Sequence, residues 1–475
     1  MEDAASTTRP LALGCEKRLL LDEALVAGRR NVAWTMNPPR KTGERCIVAD
    51  HPWESFYAGG WNTVLEDDGV YKLWYEACSP LGDGYLRGLC YATSQDGTHW
   101  EKPQLGLVQF NGHTATNLVA AGGEMGSVFL DPRAPEAERF KYLEHRSGEL
   151  YLHASSDGLH WRPYLDRAIL KLPGHLDTQN QIFWDSRLQK YVSYVRINHR
   201  EPNSRHRYYY ERECQWRSYP MRKVGRTESD DLGRWPPPEV VLGYDDADPE
   251  RTDHYNMSVV QYPWAADAYL MFPSSFYHYY EEVKGKDDGP IDIQCATSRD
   301  GITWDRRERR PYVRLGLEGS FDGGSIYMNV GMVRKEAEIW MYYTAYDFTH
   351  AGFEPETRYK GVVSRLVQRL DGFFSVDAGF EPGELTTVPL TFTGRRLELN
   401  LDTGALGSAC VELQDEAGRP LDGFALEACD PIRTNSIART VTWRGSPELG
   451  RASGRPVRLK FALFSAKLFA FQFRE

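Results

Sequence analysis

Four carboxylates in this chain stand beside groups that bind polar molecules. They are Glu54 in His51-Pro52-Trp53-Glu54, Asp177 in His175-Leu176-Asp177-Thr178-Gln179-Asn180, Asp253 in Asp253-His254-Tyr255-Asn256, and Asp322 in Glu318-Gly319-Ser320-Phe321-Asp322-Gly323-Gly324. Two carboxyl groups across a pocket, one protonated and one ionised, are what acid–base cleavage of a glycosidic bond needs. Several carboxyl groups crowded round one axis would push each other's pKa values apart. Asp and Glu also serve as turn acceptors at strand ends, so each of the four has a structural reading too. Glu54 and Asp177 are the best placed, because aromatic or amide groups suited to a sugar ring lie beside them. Candidate substrate-binding residues are Trp53, Tyr57, Trp61, Gln179, Asn180, Arg196, His254, Asn256 and His350, with core or loop packing equally open for each.

These groups are far apart in sequence, so a fold must gather them. Five copies of one pattern supply it. Ser94-Gln95-Asp96-Gly97-Thr98-His99-Trp100, Ser156-Asp157-Gly158-Leu159-His160-Trp161 and Ser298-Arg299-Asp300-Gly301-Ile302-Thr303-Trp304 are clear; Ser229-Asp230-Asp231-Leu232-Gly233-Arg234-Trp235 and Leu370-Asp371-Gly372-Phe373-Phe374 are degenerate. The acidic residues are spaced by about 61, 74, 69 and 71 residues. A fixed period marks a repeat architecture. The Asp-Gly pair turns the chain tightly because Gly takes positive φ without a Cβ clash. The repeat itself is therefore structural. Before each turn run alternating aromatic and β-branched segments, such as Tyr71-Lys72-Leu73-Trp74-Tyr75, Lys190-Tyr191-Val192-Ser193-Tyr194 and Ile339-Trp340-Met341-Tyr342-Tyr343, which read as strands. Four strands per unit around an axis predict an all-β fold, a five-bladed β-propeller.

The expected division is a lead-in over residues 1–50, a propeller over 51–380 and a small β-sandwich over 381–475. Either Val32-Ala33-Trp34 or Cys46-Ile47-Val48 would pair with the last blade and close the ring. Past Gly379 the alternating runs Arg396-Leu397-Glu398-Leu399-Asn400-Leu401 and Val457-Arg458-Leu459-Lys460-Phe461 suggest the sandwich. Its plain role is to brace the propeller, and glycan binding is the sharper one. In the propeller the residues opening each blade share one face, and the four carboxylates lie there with Glu124 of the second blade.

Composition narrows the function. A net charge of −10 without a basic run argues against nucleic acid and anionic membrane, and aromatics at 13% suit blade packing or sugar stacking. No apolar stretch approaches the length of a membrane span. Met1 to Pro10 has no apolar signal core, so the chain as given is expected in the cytoplasm, or outside it if a signal was removed. Eight cysteines occur without a Cys-x-x-Cys pair, which points to buried thiols rather than metal ligands. No cofactor is expected; a structural metal ion in the central channel is left open. His254, His278 and His350 are too far apart in sequence to argue a metal cluster. An insert from about Arg196 to Arg226 carries eight arginines around Tyr208-Tyr209-Tyr210. It suits a charged sugar, or a homo-oligomer contact, which is the plainer reading. The segments Phe276–Glu282 and Tyr346–His350 would wall the pocket.

The Ala-Thr-Ser-x-Asp-Gly-x-x-Trp pattern at Ala92–Trp100 and Ala296–Trp304 resembles five-bladed glycoside hydrolases of families 43 and 32 over residues 51–380. The resemblance implies an acidic triad in the central pocket and a C-terminal sandwich. Those families open the first blade with Asp where this chain has Glu54, and carry a Glu acid where it has Asp177. The Asn-Asp-Pro-Asn-Gly, Arg-Asp-Pro and Glu-Cys motifs of fructosidases are absent, so the triad does not transfer residue by residue. Sialidases are a second likeness, but they place a residue between Asp and Gly and have six blades. The expected function is a glycoside hydrolase acting on the terminal sugar of an oligo- or polysaccharide. The alternatives are a glycoside phosphorylase and a non-catalytic carbohydrate-binding propeller.

Overall fold

The computed structural model describes residues 9–82, 84–122, 124–172, 176–199, 207–210, 215–218, 221–249, 251–279, 288–352 and 361–475. They form an all-β chain in two compact units. No helix among the described residues is long and apolar enough to cross a membrane.

The larger unit, residues 39–261 and 269–367, is a five-bladed propeller. Blade one is the antiparallel sheet Tyr57–Asp67, Val70–Leu81, Gly84–Ser94 and Leu118–Ala121. Blade two is Glu124–Leu130, Phe140–Arg146, Glu149–Ser155 and Arg162–Pro163; blade three is Gln181–Asp185, Lys190–His199, Met221–Ser229 and Glu239–Leu242. Blade four is broken along each strand, so Thr252–Asn256 continues as Val259–Gln261 and Ser274–Tyr277 follows Tyr269–Met271. Blade five takes Ser325–Met328, Glu338–Tyr346 and Val362–Arg369 from its own sequence and Arg40–Lys41 from the N-terminal segment. An Ile47–Val363 bridge extends that pairing, so the Cys46-Ile47 segment closes the ring.

The repeated turns fasten each blade to the one before it. In the three clear copies the glycine N–H donates to a serine hydroxyl, Gly97 to Ser94 at 2.8 Å, Gly158 to Ser155 at 2.9 Å and Gly301 to Ser298 at 2.9 Å. The serine in the second copy is thus Ser155, not Ser156. The following Asp accepts two more backbone N–H groups, as Asp96 does from Thr98 and His99. The buried glycine carbonyl then accepts from an aromatic on the preceding blade. Trp74 Nε1 donates to Gly158 at 2.7 Å, Tyr194 OH to Gly301 at 2.6 Å and Tyr342 OH to Gly97 at 2.8 Å.

At the axis, amide side chains join the inner strands. Gln181 donates to the Val259 carbonyl and accepts from the Val259 N–H, both at 2.8 Å. Gln179 donates to the Asn62 carbonyl at 2.5 Å, and Asn256 to the Met328 carbonyl at 3.2 Å. Asn62 donates to Thr344 at 2.7 Å, and Thr344 donates on to Asn329 at 3.0 Å. Thr63 Oγ1 accepts the Val128 N–H at 3.1 Å. Five buried atoms of this collar, Asn62 Oδ1, Ser127 Oγ, Gln179 Oε1, Asn256 Oδ1 and Asn329 Nδ2, have no protein partner. They belong to amide and hydroxyl groups and carry no formal charge.

The smaller unit comprises residues 1–38, 262–268 and 368–475, of which 1–8 lie outside the described residues. Its boundaries therefore differ from cuts at 50 and 380. One sheet runs Asn435–Thr440, Arg396–Asp402, Ala466–Arg474, Phe374–Ala378 and Ala33–Met36; the other runs Val26–Arg30, Gly383–Thr387, Arg458–Phe464 and Ser408–Gln414. The alternation of Arg396–Asp402 sends Leu397, Leu399 and Leu401 into the sandwich core, where all three are fully buried. Ala33-Trp34 pairs here with Val376 and Asp377 rather than closing the propeller. The fifth copy of the repeat also lies here, with buried Asp371 bonded to Lys17 at 2.7 Å and to Tyr262 at 2.8 Å.

Docking of a turn on its neighbour makes Gly158 costly to replace. Its φ is +77°, and an added Cβ would fall 2.6 Å from Trp74 Cζ2. Gly158→Ala is expected to lower propeller stability by about 2–4 kcal/mol, from left-handed strain plus overpacking. Gly112→Ala, with φ +82° and open space around the Cβ, should cost only about 1–2 kcal/mol. Denaturant midpoints of the two variants compare them, and equal losses would show that the turn is not docked.

Candidate active site

One face of the propeller carries a cavity of about 200 Å³. That is below the ~300–1,000 Å³ of drug-sized ligand sites. Blade one contributes Phe56 just ahead of its first strand, Tyr57, Gly60 and Trp61 within it, and Glu76 and Arg87 from its second and third. Asp177 enters from the link into blade three and Tyr255 from blade four. Blade five supplies Ser325, Tyr327, Tyr346, Phe348 and His350.

The blade-one wall depends on a bulge. Pairing of Tyr57–Asp67 with Val70–Leu81 slips between Ala58 and Asn62. Gly59 sits there at φ +81°, and a Cβ on Gly60 would lie 2.8 Å from the Tyr57 ring and 3.3 Å from Glu76 Oε1. The two glycines let Tyr57 fold back so that its hydroxyl donates to Glu76 Oε1. Arg87 Nη1 stands 3.5 Å from the same oxygen. Glu76 is 1% exposed. Burial, with the Glu76 charge second, pushes the Tyr57 phenol well above its ordinary range.

Asp177 is placed by the segment around it. Asn180 donates to the carbonyls of Leu176 at 2.9 Å and Thr178 at 3.1 Å, and accepts the Arg196 N–H at 3.1 Å. The Arg196 guanidinium then binds Asp177 with one nitrogen and the Tyr255 carbonyl with another. Its Cζ lies 4.5 Å from the Tyr255 ring centroid. Arg196 is 1% exposed and the Asp177 side chain 46% exposed, so the pair presents its carboxylate outward. Burial and then the Asp177 charge raise the Tyr255 phenol pKa.

On the far wall His350 Nδ1 meets Tyr327 OH at 3.1 Å. The imidazole packs 4.6 Å from Tyr255 and 4.9 Å from Phe276, centroid to centroid. Trp61 stacks at 6.2 Å on Tyr255 and meets Tyr327 edge-on at 5.9 Å. The cavity is thus aromatic, with carboxylates at two places on its wall.

Of the sequence-derived candidates, Asp177, Tyr57, Trp61 and His350 line this cavity, and Glu54, Asp253 and Asp322 do not. Glu54 ends a 3₁₀ turn at Pro52–Glu54, fully buried. Both its oxygens lie 2.9 Å from Lys102 Nζ, Tyr75 OH donates to it at 2.6 Å, and Asp50 and His51 donate backbone N–H groups. Every lone pair has a partner, so Glu54 pins blade one. Asp253 is buried against Arg222 Nη1 at 3.0 Å and His278 Nε2 at 3.3 Å. Asp322 bonds Lys41 Nζ at 2.7 Å and Tyr343 OH at 3.0 Å, tying the closing strand to blade five. Burial works to raise its pKa, but Lys41, Ser320 and Tyr343 outweigh burial and hold it below the usual range.

The binding candidates also divide. Trp53 is buried, donating to Asn117 at 2.9 Å and stacked on His51 at 4.5 Å. Gln179 and Asn256 belong to the axial collar, Asn180 shapes the Asp177 segment and Arg196 backs Asp177. His254 is fully buried beside Ser275 at 3.4 Å; burial and then the Arg306 charge push its pKa down to about 4. His254, His278 and His350 do not assemble a metal site, and no group of three or more His, Cys, Asp or Glu does so among the described residues. His175, Arg200, Arg205, Arg212, Tyr280, Glu281 and Glu282 lie outside the described residues, as do the side chains of Glu124 and Tyr208-Tyr209-Tyr210.

Glu76, Arg87, Tyr255 and Tyr327 were not singled out from sequence. Glu76 had a signal, a lone acid inside the strand Val70–Leu81, whose residues from Tyr71 to Ser79 are otherwise largely apolar. Tyr255 lies between His254 and Asn256, where the pairing with Ser274–Tyr277 shifts register, so regular alternation does not announce it.

No family model matches the chain, and no curated protein matches it. Among solved structures it is similar to that of BT0996 in an RGII complex, at 15% identity over 70% of this chain and 93% of that one, TM-score 0.47. It is similar to the β-1,2-mannobiose phosphorylase from Listeria innocua in complex with β-1,2-mannobiose, at 12% identity over 70% and 97%, TM-score 0.46. It is also similar to the exo-inulinase from Aspergillus awamori, at 11% identity over 90% and 99%, TM-score 0.41. Likenesses this distant carry no functional argument, and the fold rests on the chain's own strand order.

The buried setting of Glu54 predicts the effect of replacing it. Glu54→Gln removes one charge of a buried pair but leaves Asp50 to bind Lys102. The expected loss is about 2–3 kcal/mol of stability, under the ~3–5 kcal/mol of a fully broken pair. A urea-denaturation midpoint measures it, and an unchanged midpoint would refute the structural role.

Proposed function

We propose that this chain is a glycosidase that releases a terminal sugar in the propeller cavity, with Glu76 and Asp177 as the reacting carboxylates. The observation that carries the reading is their placement. Two carboxylates from non-adjacent blades line one cavity of about 200 Å³, walled by Trp61, Tyr57, Tyr255 and Tyr327. Aromatic faces hold the apolar C–H surface of a sugar ring, and two carboxylates act on its anomeric carbon. Their negative charge stabilises an oxocarbenium-like transition state, and one of them activates the attacking group. A cavity sized for one ring favours cleavage at a chain end.

Arg87 favours a second reading, phosphorolysis. It lines the cavity beside Glu76 with its side chain 38% exposed, and a guanidinium binds phosphate in a planar, bidentate way. Inorganic phosphate in place of water would then yield a sugar phosphate.

The test is turnover of a panel of aryl glycosides and oligosaccharides, with and without phosphate, by wild type, Asp177→Asn and Glu76→Gln. Each variant should lose about 10²–10⁴-fold in kcat while still folding. Sugar phosphate formed only with phosphate present selects the phosphorylase. Sugar binding without turnover in wild type would instead make the propeller a carbohydrate-binding module.

A further inference from the structure

Breaking a glycosidic bond near neutral pH needs negative charge at the anomeric carbon and a proton on the departing oxygen. The two wall carboxylates are built for the first task. Glu76 accepts the Tyr57 hydroxyl and has Arg87 at 3.5 Å. Asp177 is bound by the buried Arg196 guanidinium. A donor or a guanidinium beside a carboxyl group favours its anion.

Among the described wall residues, His350 is the side chain whose type exchanges protons near neutrality. Its place is fixed from several sides. Its backbone N–H donates to the Gly289 carbonyl at 3.0 Å. Asp288 accepts from Thr349 Oγ1 at 2.9 Å and from the Ala351 N–H at 2.8 Å, which braces the turn on both sides of the imidazole. The ring packs on Tyr255 and Phe276 while Nδ1 engages Tyr327 OH. Two cations stack on those rings, Arg222 over Tyr255 at 4.8 Å and Phe276 at 5.4 Å, and Arg196 over Tyr255 at 4.5 Å.

We infer that His350 is the general acid for the leaving group and that Tyr327 positions it. The inference rests on the glycosidase reading and assigns the role that its two carboxylates leave open. With Nδ1 held by Tyr327, Nε2–H of the imidazolium gives its proton to the glycosidic oxygen as the bond from C1 to that oxygen breaks. The bonding electron pair stays with the oxygen, which leaves as a neutral alcohol, and His350 is left neutral. Water then forms the new C1–O bond and loses one proton to a wall carboxylate; that proton passes to solvent, and solvent returns one to His350.

Leaving-group dependence tests this. Full-length wild type, His350→Ala, Asp177→Asn and Glu76→Gln are assayed on aryl glycosides of the cleaved sugar, from phenyl to 2,4-dinitrophenyl. For His350→Ala, kcat/KM should fall about 10²–10⁴-fold on the phenyl glycoside. On the 2,4-dinitrophenyl glycoside, whose phenolate leaves unaided, the loss should be under about tenfold. Added imidazole should restore activity, and the alkaline limb of the pH profile should disappear. Tyr327→Phe should weaken turnover less and shift that limb. His350→Gln serves the same comparison if His350→Ala does not fold. An equal loss across the series, or the steep dependence in Asp177→Asn or Glu76→Gln instead, overturns the role of His350. Full activity of both carboxylate variants overturns the underlying reading whatever His350 does. A wild type that cleaves nothing in the series removes that reading and this inference together.

Discussion

Five inner strands converging on one axis bury backbone polar groups with no room for a sixth element to satisfy them. A buried N–H or carbonyl left alone costs about 1–3 kcal/mol, so this constraint dominates the centre of the ring. The chain meets it with amides, which donate and accept from one side chain. Gln181 uses both functions on Val259. Gln179 reaches the Asn62 carbonyl of blade one, while Asn62 reaches Thr344 of blade five. An apolar axis could fill the same space but could not set the strands at one height. Because the collar sets that height, it also sets the strand ends where the cavity forms.

The collar runs directly into the site. Gln179 belongs to the axis, and its neighbour Asn180 winds the Leu176–Asn180 segment and fixes the backbone of Arg196. Arg196 in turn carries Asp177. The guanidinium meets three demands at once, an ion pair, a backbone carbonyl and an aromatic face. Lysine, with a compact and strongly hydrated charge, would meet one of them at this depth. Blade one shows the contrast between a structural and a site carboxylate. Glu54 and Glu76 are both buried, but Lys102 and Tyr75 saturate Glu54 away from the cavity, whereas the partners of Glu76 line it.

The fold was readable because its determinants are local. A Ser-x-Asp-Gly turn makes its own hydrogen bonds within four residues, and period-two alternation marks the strands it joins. Ring closure by Cys46-Ile47 was readable as one of two options, since Val32-Ala33-Trp34 and Cys46-Ile47-Val48 are both short apolar runs. The site was harder, for three physical reasons. Lys102 reaches Glu54 from 48 residues away, a pairing that no local pattern announces. The bulge at Gly59-Gly60 changes which residues of the first strand face inward, and it brings Tyr57 to Glu76. At Asp253–Asn256 the polar residues drew attention, while Tyr255, at the register shift between His254 and Asn256, is the one that lines the cavity.

In the reading we propose, one sugar ring sits in this cavity between Glu76 and Asp177, against Trp61. A glycan-array measurement with labelled Glu76→Gln, repeated with Trp61→Ala added, tests it most directly. The account predicts binding to glycans that share a terminal residue, and its loss when Trp61 is removed. Binding that survives Trp61→Ala, or binding to internal residues alone, would contradict it.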